Sequence, residues 1–490
     1  MHASQPRCRT GIPGLDNVLN GGFVRNRLYL VEGDPGSGKT TLALQFLLEG
    51  RRQGEAGLYL TLSESKEELD AGARSHGWEL EGIEVVELAS RDAALSDENY
   101  LTMFNPSEVE LSETTKVVLQ AVEARNPTRI VFDSLSEMRL LAQSSLRYRR
   151  QILALKQFFT GRACTVLLLD DGTSEGPDLQ LQSIAHGVIK LDQLAPVYGG
   201  DRRRLRVIKY RGTRFRGGYH DFVIADDGLR VFPRLVAAEH RAEIASGLVP
   251  SGIEPLDALL GGGPNRGTST LLLGPAGSGK STTAIQYAAA AAGRGEHAAV
   301  FTFDESFGTL LTRSRGIGLH FKEGRHPGEI HIRQVDPSEL SPGEFVHLVR
   351  ESVETDKATV VVIDSLNGYL NAMPDERFLT AQLHELLAYL GERGVCTILV
   401  VAQHGLVGSH MDAPVDTSYL ADSVVLFRFF EDGGRVKRAI SVIKKRSGPH
   451  ENTIREFQTS SKGIAVGKPL LDFHGVLTGV PVSVSNPRPG

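Results

Sequence analysis

The chain has 490 residues, 41 % of them apolar and 23 % charged, with a net charge of −5. That length suits two or three domains of a soluble globular protein, and the mild acidity argues against a dedicated nucleic-acid binder. No apolar run approaches the roughly 18 residues of a membrane span, and the N-terminus lacks the apolar core of a secretory leader. Cys8, Cys164 and Cys396 have no C-x-x-C spacing, so buried thiols in a cytoplasmic protein are expected rather than disulfides or metal ligands.

In chain order, Thr10-Gly11-Ile12-Pro13-Gly14-Leu15-Asp16 comes first, then Gly21-Gly22 and a buried-strand pattern at Leu28-Tyr29-Leu30-Val31. That strand runs into Gly33-Asp34-Pro35-Gly36-Ser37-Gly38-Lys39-Thr40, and Thr41 to Leu48 reads as the helix that leaves it. The octet fits G-x-x-x-x-G-K-[ST], the P-loop. Its glycines let backbone N–H groups wrap an anion, its lysine reaches the β- and γ-phosphates, and the hydroxyl of Thr40 is a Mg²⁺ ligand. The next strand, Leu58-Tyr59-Leu60-Thr61-Leu62, ends in Ser63-Glu64, and Glu64 is a candidate general base. Ile130-Val131-Phe132 runs into Asp133. A carboxylate ending a buried strand beside a P-loop is the Walker B arrangement, which holds Mg²⁺ through water. A helix over 148–160 precedes the strand that follows Cys164, which ends at Asp170-Asp171. Leu205–Tyr210 and Tyr219–Ile224 then alternate apolar with polar residues, as antiparallel strands do. Lys209 and Arg211 stand two apart, on one strand face.

The pattern then repeats. Ser251-Gly252-Ile253-Glu254-Pro255-Leu256-Asp257 answers the opening motif, and Gly274-Pro275-Ala276-Gly277-Ser278-Gly279-Lys280-Ser281 is a second P-loop, followed by Thr282. Asp16 and Asp257, like Lys39 and Lys280, are 241 residues apart. The strand Val300-Phe301-Thr302-Phe303 ends in the carboxylate pair Asp304-Glu305, a second candidate base. Val361-Val362-Ile363 ends in Asp364, the second Walker B acid, beside the Mg²⁺-ligand hydroxyl of Ser281. Gln403 and His404 follow the strand that ends at Ala402, where the first half has Asp170-Asp171 instead, so the two sites are not expected to behave alike. Lys444 and Arg446 repeat the late cation pair. Both cation pairs are read as fingers that stabilise phosphate charge, supplied to a neighbouring subunit. A duplicated α/β chain follows, with a mostly parallel sheet flanked by helices in each half, over residues 1–240 and 241–490. The join is expected within 237–246.

With these residues assembled, the chain resembles the KaiC family of tandem RecA-like P-loop ATPases over nearly its whole length. The resemblance is carried by Gly252-Ile253 with Leu256-Asp257, both P-loops, Asp133-Ser134, Asp364-Ser365, the two cation pairs, and Thr453-Ile454-Arg455-Glu456-Phe457. It implies a homo-hexameric ring of two stacked layers, with ATP and Mg²⁺ at the subunit interfaces, hydrolysis in both layers, and autophosphorylation on an adjacent Ser-Thr pair in the second. Here Ser418 takes the Ser position and Tyr419 the Thr position, with Thr417 on the other side. Ser418 and Thr417 are therefore the candidate acceptors. Ser63 replaces an acid of the first pair and Asp304 a glutamate of the second, departures that point to a KaiC-like signalling or timing regulator with protein partners rather than a clock core. Two other readings compete. A RecA-type DNA motor needs a basic central loop, but Gly172–Asp178 and Gly405–Asp412 hold no Lys or Arg. An ATP-binding scaffold with negligible turnover suits Ser63 and is opposed by Asp304-Glu305.

Overall fold

The computed structural model describes residues 6–88, 106–142, 144–172, 179–196, 199–241, 246–371, 379–403, 420–477 and 482–483. Ser418, Thr417 and Gly405–Asp412 lie outside them. The chain forms two compact units, Met1–Arg234 and Leu235–Gly490. The segment expected as a linker begins inside the second unit. Leu235 and Ala237 are buried in that unit's core, and the Ala237 amide donates to Glu385 at 3.1 Å. Leu235 and Ala237, within the apolar run Leu235-Val236-Ala237-Ala238, anchor it there.

Each unit is built on one large α/β sheet. In the first, the described strands run in the order Gly228–Phe232, His220–Ala225, Arg202–Tyr210, Gly187–Leu194, Leu28–Gly33, Thr165–Asp170, Arg129–Asp133, Gly57–Thr61, Ile83–Glu87. The last six are parallel to one another, and the first three continue the sheet as an antiparallel ribbon. The second unit repeats this plan, with Ser269–Gly274 between Cys396–Ala402 and Ser423–Asp432, and a ribbon of Arg435–Lys445, Arg455–Ser460 and Gly463–Pro469. The central parallel strands bury every residue of Leu28–Gly33, Arg129–Asp133 and Thr165–Asp170. Helices cover both faces, and that double cover explains their unbroken apolar runs. Cys8, Cys164 and Cys396 are free and buried, and burial pushes the Cys8 and Cys164 thiols up to about 11.

The opening motif of each half is a fastening. The Asp16 carboxylate accepts from the Thr10 amide at 2.9 Å and its hydroxyl at 2.8 Å, and Asp257 accepts from the Ser251 amide at 2.7 Å. The phosphate loops rest on the ribbons. Gly38 and Gly279, the residues before each P-loop helix, have φ of 97° and 107°, which only glycine adopts without strain. A Cβ on Gly38 would stand 2.9 Å from Ile224, and one on Gly279 would stand 2.4 Å from Phe457. No helix among the described residues is long and apolar enough to cross a membrane.

Candidate active site

The P-loop helices run over Lys39–Arg52 and Lys280–Gly293, so each motif lysine begins its helix where backbone N–H groups and the helix dipole favour an anion. Both lysines are buried and turned back over their loops. Lys39 Nζ donates to the carbonyls of Gly33 at 2.7 Å and Asp34 at 3.0 Å, and Lys280 Nζ donates to Pro275 at 2.6 Å. Burial pushes Lys280 down to about 8, against the opposing pull of Asp364. The Ser37 and Ser278 hydroxyls inside the loops are buried without a hydrogen-bond partner among the described residues, which suits a polar, anionic guest.

Each P-loop hydroxyl lies beside the Walker B acid of its own half, where Thr40 opposes the effect of burial on Asp133 and Ser281 opposes it on Asp364. A hydroxyl beside a carboxylate is an all-oxygen donor set of the kind Mg²⁺ takes. Asp133 and Asp364 close buried strands, and burial raises both carboxyls above the ordinary range. Tyr59 donates to Asp133 Oδ2 at 2.5 Å, a partner the sequence did not single out.

The candidate bases differ between the halves. Glu64 is fixed by Thr61, whose hydroxyl donates to the Glu64 carbonyl at 2.8 Å and accepts from its amide at 3.0 Å. Its side chain borders a cavity of about 340 Å³ lined by Thr40, Thr41, Glu68 and Gly72. Burial, with the nearby charges of Asp133, Glu68 and Asp171, raises the Glu64 carboxyl above its usual value. Glu68 belongs to a capping box with Ser65 at the start of the helix Lys66–Ser75. In the second half Thr302 fixes Glu305 in the same manner, at 2.9 and 3.3 Å. Asp304 accepts from the Ser365 hydroxyl. Glu305 is held at both carboxylate oxygens by Arg313, at 3.0 and 2.7 Å, and Arg313 also donates to the Thr282 hydroxyl at 3.1 Å. Arg313 escaped the sequence reading. Its signal was the repeat itself, because the position 241 residues earlier is Gly72.

The cation pairs lie away from their own phosphate loops. In register, Lys209 faces Val188, which faces Leu30, three residues before Gly33 and about 10 Å back along the strands. Lys444 is level with Leu271, three residues before Gly274, through Val424. Lys209 donates to the carbonyls of Gln182 and Ser183, and Arg211 donates to Ser183 at 2.8 Å. Lys444 donates to Ala421 at 2.8 Å, and Arg446 lies 3.5 Å from Asp422. The run Arg202 to Arg204 sits on the ribbon, where Arg204 pairs with Asp221 at 3.4 Å.

A strand, a phosphate loop, a helix and a Walker B acid, assembled twice on mostly parallel sheets, define a tandem RecA-like P-loop ATPase. The chain belongs to the KaiC ATPase family, whose family model matches residues 8–236 and again 249–470. It is 26 % identical to the circadian clock oscillator protein KaiC of Picosynechococcus sp., over 98 % of this chain and 93 % of that protein. The circadian clock protein KaiC3 of Synechocystis sp. is 26 % identical over 97 % of this chain and 94 % of its own length. The oscillator protein KaiC of Synechococcus elongatus is 26 % identical over 99 % and 93 %.

Proposed function

We propose that the chain forms a homo-hexameric ring that hydrolyses ATP at its subunit interfaces, and that its second half also transfers the γ-phosphoryl group to its own Ser418 or Thr417. The observation that carries the interface is the separation of each cation pair from the phosphate loop of its own unit, which suits cations that serve a neighbour. Arg211 also borders a cavity of about 90 Å³ with Arg27, Lys156 and His186. Burial and the charges of Arg27, Arg211 and Lys209 lower the His186 imidazole below its usual value, as expected of a site that favours an anion.

Thr40 with Asp133, and Ser281 with Asp364, would hold Mg²⁺, which when bound neutralises charge on the phosphate oxygens. The loop backbone and Lys39 or Lys280 orient the triphosphate. Glu64 in the first half, and Asp304 with Glu305 in the second, accept the proton of the attacking water or hydroxyl. The γ-phosphorus forms a bond to that oxygen as its bond to the ADP oxygen breaks, and Lys209/Arg211 or Lys444/Arg446 from the adjoining subunit stabilise the charge that develops. Slow turnover in a signalling or timing role, with protein partners, completes the reading.

Two experiments test it. Incubation with γ-labelled ATP and Mg²⁺, followed by phosphopeptide mapping, should label the protein, and Lys280→Ala and Ser418→Ala should each lose that label. Label found only in free phosphate overturns the autokinase, and no turnover at all favours the scaffold. Mixing Lys209→Ala protein with Glu64→Gln protein should restore first-half phosphate release that neither has alone, because some interfaces then combine an intact base with an intact cation pair. No restoration in assembled rings overturns the shared site.

A further inference from the structure

The lysine of the first phosphate loop is already paired. Lys39 Nζ lies 2.9 Å from Asp171 Oδ1. Asp171 follows the strand Thr165–Asp170, whose last residue is in register with Glu32, just before the loop. Its Oδ2 accepts from the Ser136 hydroxyl at 2.7 Å and from Ser134 at 3.4 Å. Burial would raise this carboxyl, but its bonds to Lys39, Ser136 and Ser134 outweigh that and hold it below the ordinary range. Asp133 and Glu64 both feel its charge. Three acids therefore share one lysine. In the second half the residue after the matching strand is the neutral Gln403, and Lys280 is bonded to a carbonyl.

A P-loop lysine meets the β- and γ-phosphates. A triphosphate entering the first half must take Lys39 from Asp171 and bring a further anionic group against a fixed carboxylate. A diphosphate asks less of that pair. We propose that Asp171 is a specificity-determining residue that turns the first half toward nucleoside diphosphates, whereas the second half, with Gln403, favours triphosphates. This rests on the reading that both halves bind nucleotide.

The test is photolabelling of the full-length protein on ice with 8-azido-ATP and with 8-azido-ADP over a concentration series in Mg²⁺, each half read by peptide mapping. In the unmodified protein the first half should bind the diphosphate at least as tightly as the triphosphate, and the second half should prefer the triphosphate. Asp171→Asn and Asp171→Gln should each shift the first-half ratio toward ATP by about tenfold, as removal of one contacting like charge predicts. The second half, the internal control for folding, should keep its ratio. An unchanged first-half ratio in both variants, or an equal gain for both nucleotides, overturns the role of Asp171. Labelling of neither half by either nucleotide overturns the nucleotide-binding reading itself.

Discussion

Arg313 holds Glu305 by both carboxylate oxygens and reaches the Thr282 hydroxyl with its remaining arm. One guanidinium thus ties the end of a sheet strand to the start of the P-loop helix, and in the first half its place is taken by Gly72. Arginine's rigid fork makes this a two-point grip that fixes direction as well as distance. In protein carrying Glu64→Gln, so that the second half supplies the turnover, Arg313→Gln should lower phosphate release by roughly 10–100-fold, as a misplaced reacting group does. Arg313→Lys should recover only part, because an ammonium cannot span both oxygens. The steady-state kcat and KM settle it. A loss confined to KM would assign Arg313 to nucleotide binding instead.

A second prediction concerns the stability of the first unit. Arg129 is fully buried in a central strand, 2.5 Å from Glu55, and donates to the carbonyls of Arg9 at 2.7 Å and Phe46 at 2.6 Å. Arg129→Ala breaks a buried pair on one side only and should cost about 3–5 kcal/mol. Trp78 is the sole tryptophan of the chain and reports this unit, so its fluorescence midpoint in urea should fall. The pair also sets an acid limit. Burial would raise the Glu55 carboxyl, but Arg129 and Arg25 outweigh it and lower it below 4.5. A depressed carboxyl stabilises the fold above its unfolded value and loses that contribution as pH drops through the folded one. The Trp78 midpoint should therefore decline below about pH 4.5 in the parent, and less so in Arg129→Ala.

Lys280 gives two alkaline effects of opposite sign. Burial lowers its ammonium to about 8 from the usual 10.5, so the unfolded chain binds more protons between those values and the second unit gains stability as pH rises through that window. A neutral lysine no longer attracts phosphate. Photolabelling of the second half by 8-azido-ATP should therefore hold steady up to pH 8 and weaken above it, by up to about tenfold per pH unit. Melting of that unit should move the other way over the same range. Parallel movement of the two would mean that the loss of labelling is unfolding rather than titration of Lys280.

The parts of the site that lie close together in sequence were legible. Each P-loop, its strand and its helix fall within about 25 residues, and the duplication made the Walker B acids and Glu64 stand out by position. What escaped was set by packing between distant segments. Asp171 reaches Lys39 only because two strands whose paired residues, such as Glu32 and Asp170, lie 138 positions apart become neighbours, and Ile224 meets Gly38 only because the ribbon returns across the loop. The spacing of Lys209 and Arg211 was visible, yet which end of the sheet they occupy required the register. Leu235 and Ala237 stand in the apolar run Leu235-Val236-Ala237-Ala238, and which core that run joins is set by packing against segments far along the chain.

The contact of Gly38 with Ile224, and of Gly279 with Phe457, bears on how small a working piece of this chain can be. The ribbon strands lie far along the sequence from the P-loop motifs they touch, so a fragment trimmed to the parallel strands would keep both P-loops and both Walker B acids. Such a fragment would lack the wall against which the glycine turn of each phosphate loop is folded. Transplanting a loop from one half to the other meets the same obstacle, since an isoleucine backs one turn and a phenylalanine the other. Loop and wall are one inherited part, and any recombination of the two halves has to move them together.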